Sequence, residues 1–343
     1  MSIQYNNYSS VTDYIDRNAV YASNQSLYAS KLTVIRGALL VGLAPKAHLK
    51  LTKELVEWKI STMLAFIDTK SPFTIQNADE LEMSERVTVA YFIGMVFAQI
   101  HMQSQYNVRH IEHLKNPGIT PTSLPGDLKN PDLWGLNHRT GNSYLVEAKG
   151  STVRKEYFDN QNVRKADSQL KAITQIDYTV TGATTTYNQA SLNLEKLIIA
   201  THPNLNDEMM QHIIDPMDEE DKVVKVSGDE MVYKHYSQLV KLFGGEEYKT
   251  IDLEDLLELE NLPKLMFRVI DFDAYNCSIG LLDEIYQILE PLVVKEEIVQ
   301  EDLQNINKNV SLVLDRFEKV INDNLENEQF SIGIDGVIVL AKS

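Results

Sequence analysis

The chain has 343 residues, 43% hydrophobic and 24% charged, enough for one elaborated domain or two and too apolar to be disordered throughout. Its 32 Lys plus Arg against 49 Asp plus Glu give a formal net charge of −17, which taken whole argues against coating nucleic acid or an anionic membrane by bulk attraction. A single cysteine, Cys277, excludes an intramolecular disulfide or a cysteine-built zinc site, and neither a ~18-residue apolar run nor a signal peptide is seen, so a soluble cytoplasmic protein is expected.

Residues 1–28 are polar and carry Tyr5, Tyr8, Tyr14, Tyr21 and Tyr28. The last three, seven apart, would share one face of a helix packed on the body; ring stacking on unpaired bases is the other use. Thr33–Ala44 and Thr52–Ile67 read as helices, the second with Leu55, Ile60, Met63, Leu64 and Ile67 on one side. Ser84 reads as the N-cap of a helix reaching about Gln105, with Val89, Phe92, Ile93, Val96, Phe97 and Ile100 inward. Asn116–Asn130, with Pro117, Pro121 and Pro125, reads as a loop. Asp132–Leu136 and Ser143–Ala148 are strand-like around Thr140-Gly141-Asn142 and predict a β-hairpin. A helix over Val163–Tyr178 and a buried strand over Leu194–Thr201 continue an α/β (α+β) pattern.

Farther on, Asp215–Asp221 reads as an exposed acidic loop, Ile251–Leu259 as an amphipathic acidic helix, Lys264–Phe272 as a strand and Ile279–Leu289 as a helix. Leu303, Ile306, Val310, Val313, Phe317 and Val320 alternate spacings of three and four. A helix packing on its own core explains that stripe better than a dimer seam over about two and a half heptads. Ser331–Leu340 predicts a second hairpin turning at Asp335-Gly336. The charge divides sharply: through Pro203 there are 20 basic and 18 acidic residues, but from Asn204 to Phe330 there are 11 and 30.

One segment carries chemistry: Pro131-Asp132-Leu133-Trp134-Gly135, then Tyr144-Leu145-Val146-Glu147-Ala148-Lys149-Gly150. Residues two apart on a strand share a face, so Glu147 and Lys149 point together. A turn near residues 139–141 places Asp132 across from about residue 148, where its carboxylate can converge on them. A hard divalent cation such as Mg²⁺ or Mn²⁺ removes the repulsion between two carboxylates by taking oxygens from both, with the Ala148 carbonyl as a third ligand. Lys149 beside it would orient or deprotonate a bound water, which suits metal-assisted attack on a phosphodiester. The plainer alternative is a solvated edge strand, but Leu145 and Val146 beside Gly150 point to a buried central strand, where idle charges are costly.

Weaker candidates surround it. Lys149, Arg154, Lys155, Arg164, Lys165 and Lys171 form a basic patch suited to phosphates, or an ordinary mixed surface. His110 and His113 read as solvated or hydrogen-bonded histidines before metal ligands, and Cys277 as a small buried residue. No phosphate-binding glycine loop, nucleophilic-serine motif or paired-histidine zinc helix occurs.

The Pro-Asp pair and the strand ending Glu147-Ala148-Lys149-Gly150 resemble the PD-(D/E)XK nuclease superfamily, as does the order helix, hairpin, helix, strand around them. The resemblance implies a restriction-endonuclease-like core over 84–203, a mixed β-sheet flanked by helices. A helical region 1–83 would precede it, and an acidic, mostly helical α/β region 204–343 would follow, packed onto the core. It also implies a Mg²⁺- or Mn²⁺-dependent nuclease acting on DNA more than RNA, of the kind that serves restriction, repair or defence. Asp132 and Glu147 would bind metal and Lys149 would be the catalytic lysine. The acidic residue of the first core helix would map to Glu85, and the glutamine of the following helix to Gln169. A different class is the alternative: a catalytically inactive binding module whose acidic C-terminal region engages a protein partner or a second copy of the chain.

Overall fold

The computed structural model describes residues 2–18, 22–41, 51–114, 119–121, 130–188, 193–216, 223–257, 264–295, 297–321 and 325–342. The chain begins with β1 (Ser2–Tyr8), α1 (Val11–Asp16), β2 (Ala22–Tyr28), α2 (Lys31–Leu40) and α3 (Lys53–Phe66). A short pair follows, β3 (Ile67–Asp68) and β4 (Thr74–Ile75), then the long helix α4 (Met83–Tyr106). Next come β5 (Ile111–His113), β6 (Ile119–Pro121), β7 (Leu133–Leu136), β8 (Ser143–Gly150) and α5 (Asn160–Lys171). The middle closes with β9 (Gln175–Val180), β10 (Ala183–Asn188), β11 (Leu194–Pro203) and β12 (Met209–Ile214). Then follow β13 (Val223–Ser227), α6 (Gly228–Phe243), β14 (Lys249–Asp252), α7 (Leu253–Leu257), β15 (Met266–Phe272) and β16 (Cys277–Leu282). The chain ends with α8 (Asp283–Val293), α9 (Gln300–Phe317), β17 (Leu325–Glu326), β18 (Phe330–Ile332) and β19 (Val337–Ala341).

The fold is α+β, with mixed sheets and helices. The central sheet has the order β2-β1-β12-β11-β8-β7-β5, a four-stranded sheet runs β10-β9-β13-β6, and a six-stranded sheet runs β14-β15-β16-β19-β18-β17. No helix among the described residues is long and apolar enough to cross a membrane. One face of the central sheet shares a core with α4, through Val89, Ile93, Val96, Phe97 and Ile100. The other shares one with α5, through Val163, Ala166 and Leu170. The spacing of three and four on α5 makes that apolar stripe, and Asp159 caps the helix by accepting the Asn162 N–H at 3.0 Å.

Several elements differ from the sequence expectation. Residues 1–28 form two strands around a one-and-a-half-turn helix, so Tyr14 and Tyr28 share no helical face; Tyr21 lies outside the described residues. Alternation decides this: Ile3 and Tyr5 bury from β1 against the sheet while Gln4 faces out. Helix α5 stops at Lys171, and 175–180 is a strand. Thr181 and Gly182, both at positive φ (47° and 82°), form the two-residue turn into β10. Residues 249–252 are a strand before the short α7, and the helix expected over Ile279–Leu289 begins only at Asp283, because Cys277–Leu282 is a fully buried central strand. Gly280 allows the close packing there, since a Cβ would meet Val269 at 2.5 Å and Ile338 at 2.6 Å. Within the expected loop 116–130, residues 119–121 pair with β13. Most of the acidic run Asp215–Asp221 lies outside the described residues. The α9 stripe packs on its own core through Ile306, Val310, Val313 and Phe317, with Val320 against it, and the Asp335-Gly336 hairpin forms.

The division at 83 and 203 does not follow the sheets. The central sheet takes β1 and β2 from the first region and β12 from the last. Helix α2 is buried on both sides, Leu32, Ile35 and Leu39 in the core of the six-stranded sheet and Val34 and Ala38 in that of the central one. Arg36, 1% exposed, ties the two together. It donates to Ser331 Oγ at 2.9 Å, Gln103 Oε1 at 2.8 Å and Glu326 Oε1 at 2.9 Å. Gln103 donates to Asp335 Oδ2 at 2.9 Å, and that oxygen lies 3.6 Å from His235 Nε2, whose Nδ1 is 3.1 Å from Glu112 Oε1.

Burial alone would lower the His235 pKa, but Asp335 and Glu112 outweigh it and push it up to about 9. Below the unfolded value near 6.5 both states hold the proton, so this contribution is complete there. As pH rises from 6.5 through 9 the unfolded chain loses its proton first, and the contribution declines. Thermal melts at pH 6, 7.5 and 9 should show a loss reaching on the order of 3 kcal/mol from this group. His235→Gln should flatten that slope.

Candidate functional site

Strand β8 is buried from Ser143 to Ala148, with β7 antiparallel on one edge and β11 parallel on the other. Tyr144, Val146 and Ala148 pack on the α4 side and Leu145 on the α5 side. Glu147 and Lys149 therefore share the face of Leu145, toward α5. Helix α4 rests directly on the end of this strand. A Cβ on Gly150 would lie 1.8 Å from the Ala90 carbonyl oxygen, and one on Gly94 would lie 2.6 Å from the Gly150 nitrogen. Only two glycines permit backbone-on-backbone contact of this kind.

Leu133 pairs with Val146, which sets Asp132 opposite Glu147 rather than residue 148. The turn explains the one-residue difference. It is closed by the Asn137 N–H donating to the Asn142 carbonyl at 2.9 Å and the Gly141 N–H donating to the Asn137 carbonyl at 2.8 Å. Glu147 and Asp132 are linked through the backbone. The Asp132 N–H donates to Glu147 Oε2 at 3.0 Å, and the Ala148 N–H donates to Asp132 Oδ2 at 3.2 Å. The Lys149 ammonium pairs with Glu147 Oε1.

Glu147 is 1% exposed. Burial first, and the Asp132 charge second, push its carboxyl up to about 7, although Lys149 pulls it down. A carboxyl so reluctant to ionise beside a second carboxylate is relieved by a cation. The Ala148 carbonyl leaves the strand on the same edge as its N–H, toward Asp132. Two carboxylates and this carbonyl make an all-oxygen donor set of the sort Mg²⁺ or Mn²⁺ takes. Among the described residues no group of three His, Cys, Asp or Glu side chains could hold a metal, so the side-chain ligands here stop at two.

These residues floor a cleft of about 1040 Å³. Val87, Ala90 and Tyr91 of α4 form one wall, and Asn162, Lys165, Ser168 and Gln169 of α5 the other. Gln169 donates to the Asn130 carbonyl at 3.3 Å, so it reaches the cleft as expected. Glu85 does not. It is exposed in the first turn of α4, where its carboxylate accepts the Glu82 N–H at 3.1 Å as part of a capping box. The residue that α4 brings near Asp132 is Tyr91, whose hydroxyl pKa is raised by burial and then by the Asp132 charge. Tyr91 lies off the inward apolar stripe of α4, so its spacing does not mark it. Gly94, one turn later, is the sequence signal of the close approach that puts it there.

The basic patch is largely spoken for. Arg154 pairs with Asp79 at 2.6 Å and with Asp207, Lys171 pairs with Asp167 at 3.0 Å, and Lys155 lies 3.9 Å from Asp159. Lys149 and Lys165 are the members that line the cleft. His110 and His113 part company: His110 is half-buried 2.9 Å from the Tyr236 hydroxyl, and His113 lines the cleft. Cys277 is buried and its thiol is pushed up to about 11 by burial.

Compared with protein-family models, curated proteins and solved structures, the chain has no match.

The helix–strand contact sets the site's geometry, so Gly150→Ala should destabilise the fold by on the order of 3 kcal/mol or more. Thermal unfolding measures this, and a melting temperature equal to wild type would contradict the backbone contact.

Proposed function

We propose that the chain is a Mg²⁺- or Mn²⁺-dependent nuclease that hydrolyses phosphodiester bonds, in DNA more than RNA, at the floor of this cleft. One observation carries the proposal. Adjacent strands of a hairpin bring Asp132 and Glu147 together beside Lys149 in a large cleft, with Glu147 buried. Asp132, Glu147 and the Ala148 carbonyl would hold the cation. When bound, the cation supplies Lewis acidity at the phosphoryl oxygens and lowers the pKa of a water.

The protein's own groups do the rest. Lys149 holds Glu147 in place by its ion pair and presents an ammonium to a phosphate oxygen or an attacking water. Lys165 and the amide of Gln169 stand on the α5 wall, where they can fix flanking phosphates. Support also comes from element order. Helix α4, hairpin β7–β8, helix α5 and strand β11 occur in the order that the resemblance to PD-(D/E)XK nucleases implies, with β5 and β6 inserted before the hairpin and β9 and β10 before β11. The near neutrality of the chain through Pro203 leaves the −19 balance to the following 127 residues, away from these residues in sequence.

The deciding experiment incubates the protein with DNA and RNA, with and without Mg²⁺ or Mn²⁺. Cleavage should require metal. Asp132→Asn and Lys149→Ala should each lower its rate by roughly 10²-fold or more while leaving the thermal melt cooperative. Calorimetry should show Mn²⁺ binding to wild type and none to Asp132→Asn. Cleavage unaffected by either change would refute the assignment. Absence of both metal binding and cleavage would favour the alternative, an inactive module whose acidic C-terminal region engages a protein.

A further inference from the structure

The two walls of the cleft differ in kind. The α5 wall presents Asn162, Lys165 and Gln169, all polar. The α4 wall presents Val87 and Tyr91, apolar and substantially open to solvent at 63% and 44%. One turn before Val87, Met83 is 76% exposed. Met83, Val87 and Tyr91 are four apart, so they form a stripe along one side of the helix, about 12 Å long at 1.5 Å per residue. Helix α4 already buries a full inner face, and apart from an edge-on contact of the Tyr91 ring with Phe92 at 6.0 Å the stripe's exposed surface adds nothing to that packing. Exposed apolar groups arranged in line and ending at a polar cleft mark a binding surface.

We propose that this stripe is a stacking wall for unpaired bases, and that the cleft takes a single strand in preference to continuous duplex. The inference rests on the nuclease reading of the floor and names its substrate class. A strand laid along the cleft would turn its phosphates to Lys165 and the floor, and its bases to Val87 and Tyr91. Every base has a π-face, so an aromatic ring beside a cationic groove binds a strand with little sequence preference. In a duplex the bases are stacked on one another inside the helix, and the apolar wall would meet charged phosphates and sugars instead. Depth argues the same way. Glu147, at the floor, is 1% exposed, and a single strand can enter the cleft between the two helices down to it. Tyr91 and Asp132 line the same cleft, so a base on the Tyr91 ring would belong to the strand whose phosphates reach the floor.

The test measures binding without metal, by fluorescence anisotropy, to an oligodeoxynucleotide and to its duplex, and cleavage of both with Mg²⁺ or Mn²⁺. Wild type should prefer the single strand by at least 10-fold in both assays. Tyr91→Ala should weaken single-strand binding by roughly 5- to 100-fold and bring the single-strand to duplex ratio toward one. Tyr91→Phe, which keeps the ring, should retain the preference, and Val87→Ser should reduce it with the fold undisturbed. Metal-dependent cleavage of both forms at equal rates overturns the stacking wall while the nuclease reading stands. Selective, Tyr91-dependent binding of the single strand with no cleavage of any substrate leaves the wall and removes the hydrolysis. Equal loss with Tyr91→Phe and Tyr91→Ala would show that the hydroxyl matters and the ring does not, and would also overturn it.

Discussion

Everything in the cleft depends on two backbones touching. Helix α4 meets the end of β8 at Gly94 and Gly150 with no side chain between them. At a normal helix-on-sheet spacing of about 10 Å, a layer of side chains would lie there. Removing that layer lowers the helix onto the strand and leaves Ala90 and Tyr91 beside the carboxylates rather than above them. The opposite face of the same strand is then free for Glu147 and Lys149, with α5 supplying the second wall. One close contact thus fixes floor depth, wall separation and the placement of the aromatic ring together.

A second constraint joins the neutral and the acidic parts of the chain. Arg36 is too deeply buried to tolerate an unpaired charge, and its partners come from α4, β17 and β18. Farther out, Arg109 pairs with Asp315 at 2.9 Å and Glu318 at 2.8 Å on or next to α9. The acidic excess of the later region is therefore in part a set of counter-charges for cations carried by the earlier one. A buried network of this kind adds little net stability over an apolar replacement, but breaking any one member strands the others. The network joins α2 to α4, β17 and β18.

The parts legible in the sequence were those whose pattern is local. The hairpin around Gly141 declares itself by alternation and a turn, and α4 by an apolar stripe at helical spacing. Glu147, Lys149 and Gln169 could be placed because each sits on such an element, and Asp132 because it immediately precedes one. The parts that were not legible depend on neighbours far along the chain. Cys277–Leu282 is apolar enough for a buried helix or a buried strand, and only β15 and β19 on either side make it a strand. Tyr14, Tyr21 and Tyr28 look helical by spacing, but Tyr14 lies on the short α1 and Tyr28 on β2, an edge strand of the central sheet. Glu85 satisfied an expectation about residue type and failed on position, since a residue in the first turn is occupied by capping the helix.

The order of strands in the central sheet bears on how the molecule is assembled. Strand β1 reaches the rest of the sheet only through β12, which pairs with it in parallel and with β11 in antiparallel fashion. On a ribosome the first strand emerges about two hundred residues before its partner. Until then its row of unsatisfied N–H and C=O groups has β2 on one side and nothing native on the other. Such an edge is open to pairing with the wrong chain, and closing so long a loop is slow as well as entropically unfavourable. The polar character of β1 and β2, with Gln4, Asn6 and Asn7 between the buried rings, keeps that waiting edge poorly suited to aggregation. A nascent chain carrying every residue of the cleft would still lack the strand that completes the sheet beneath it.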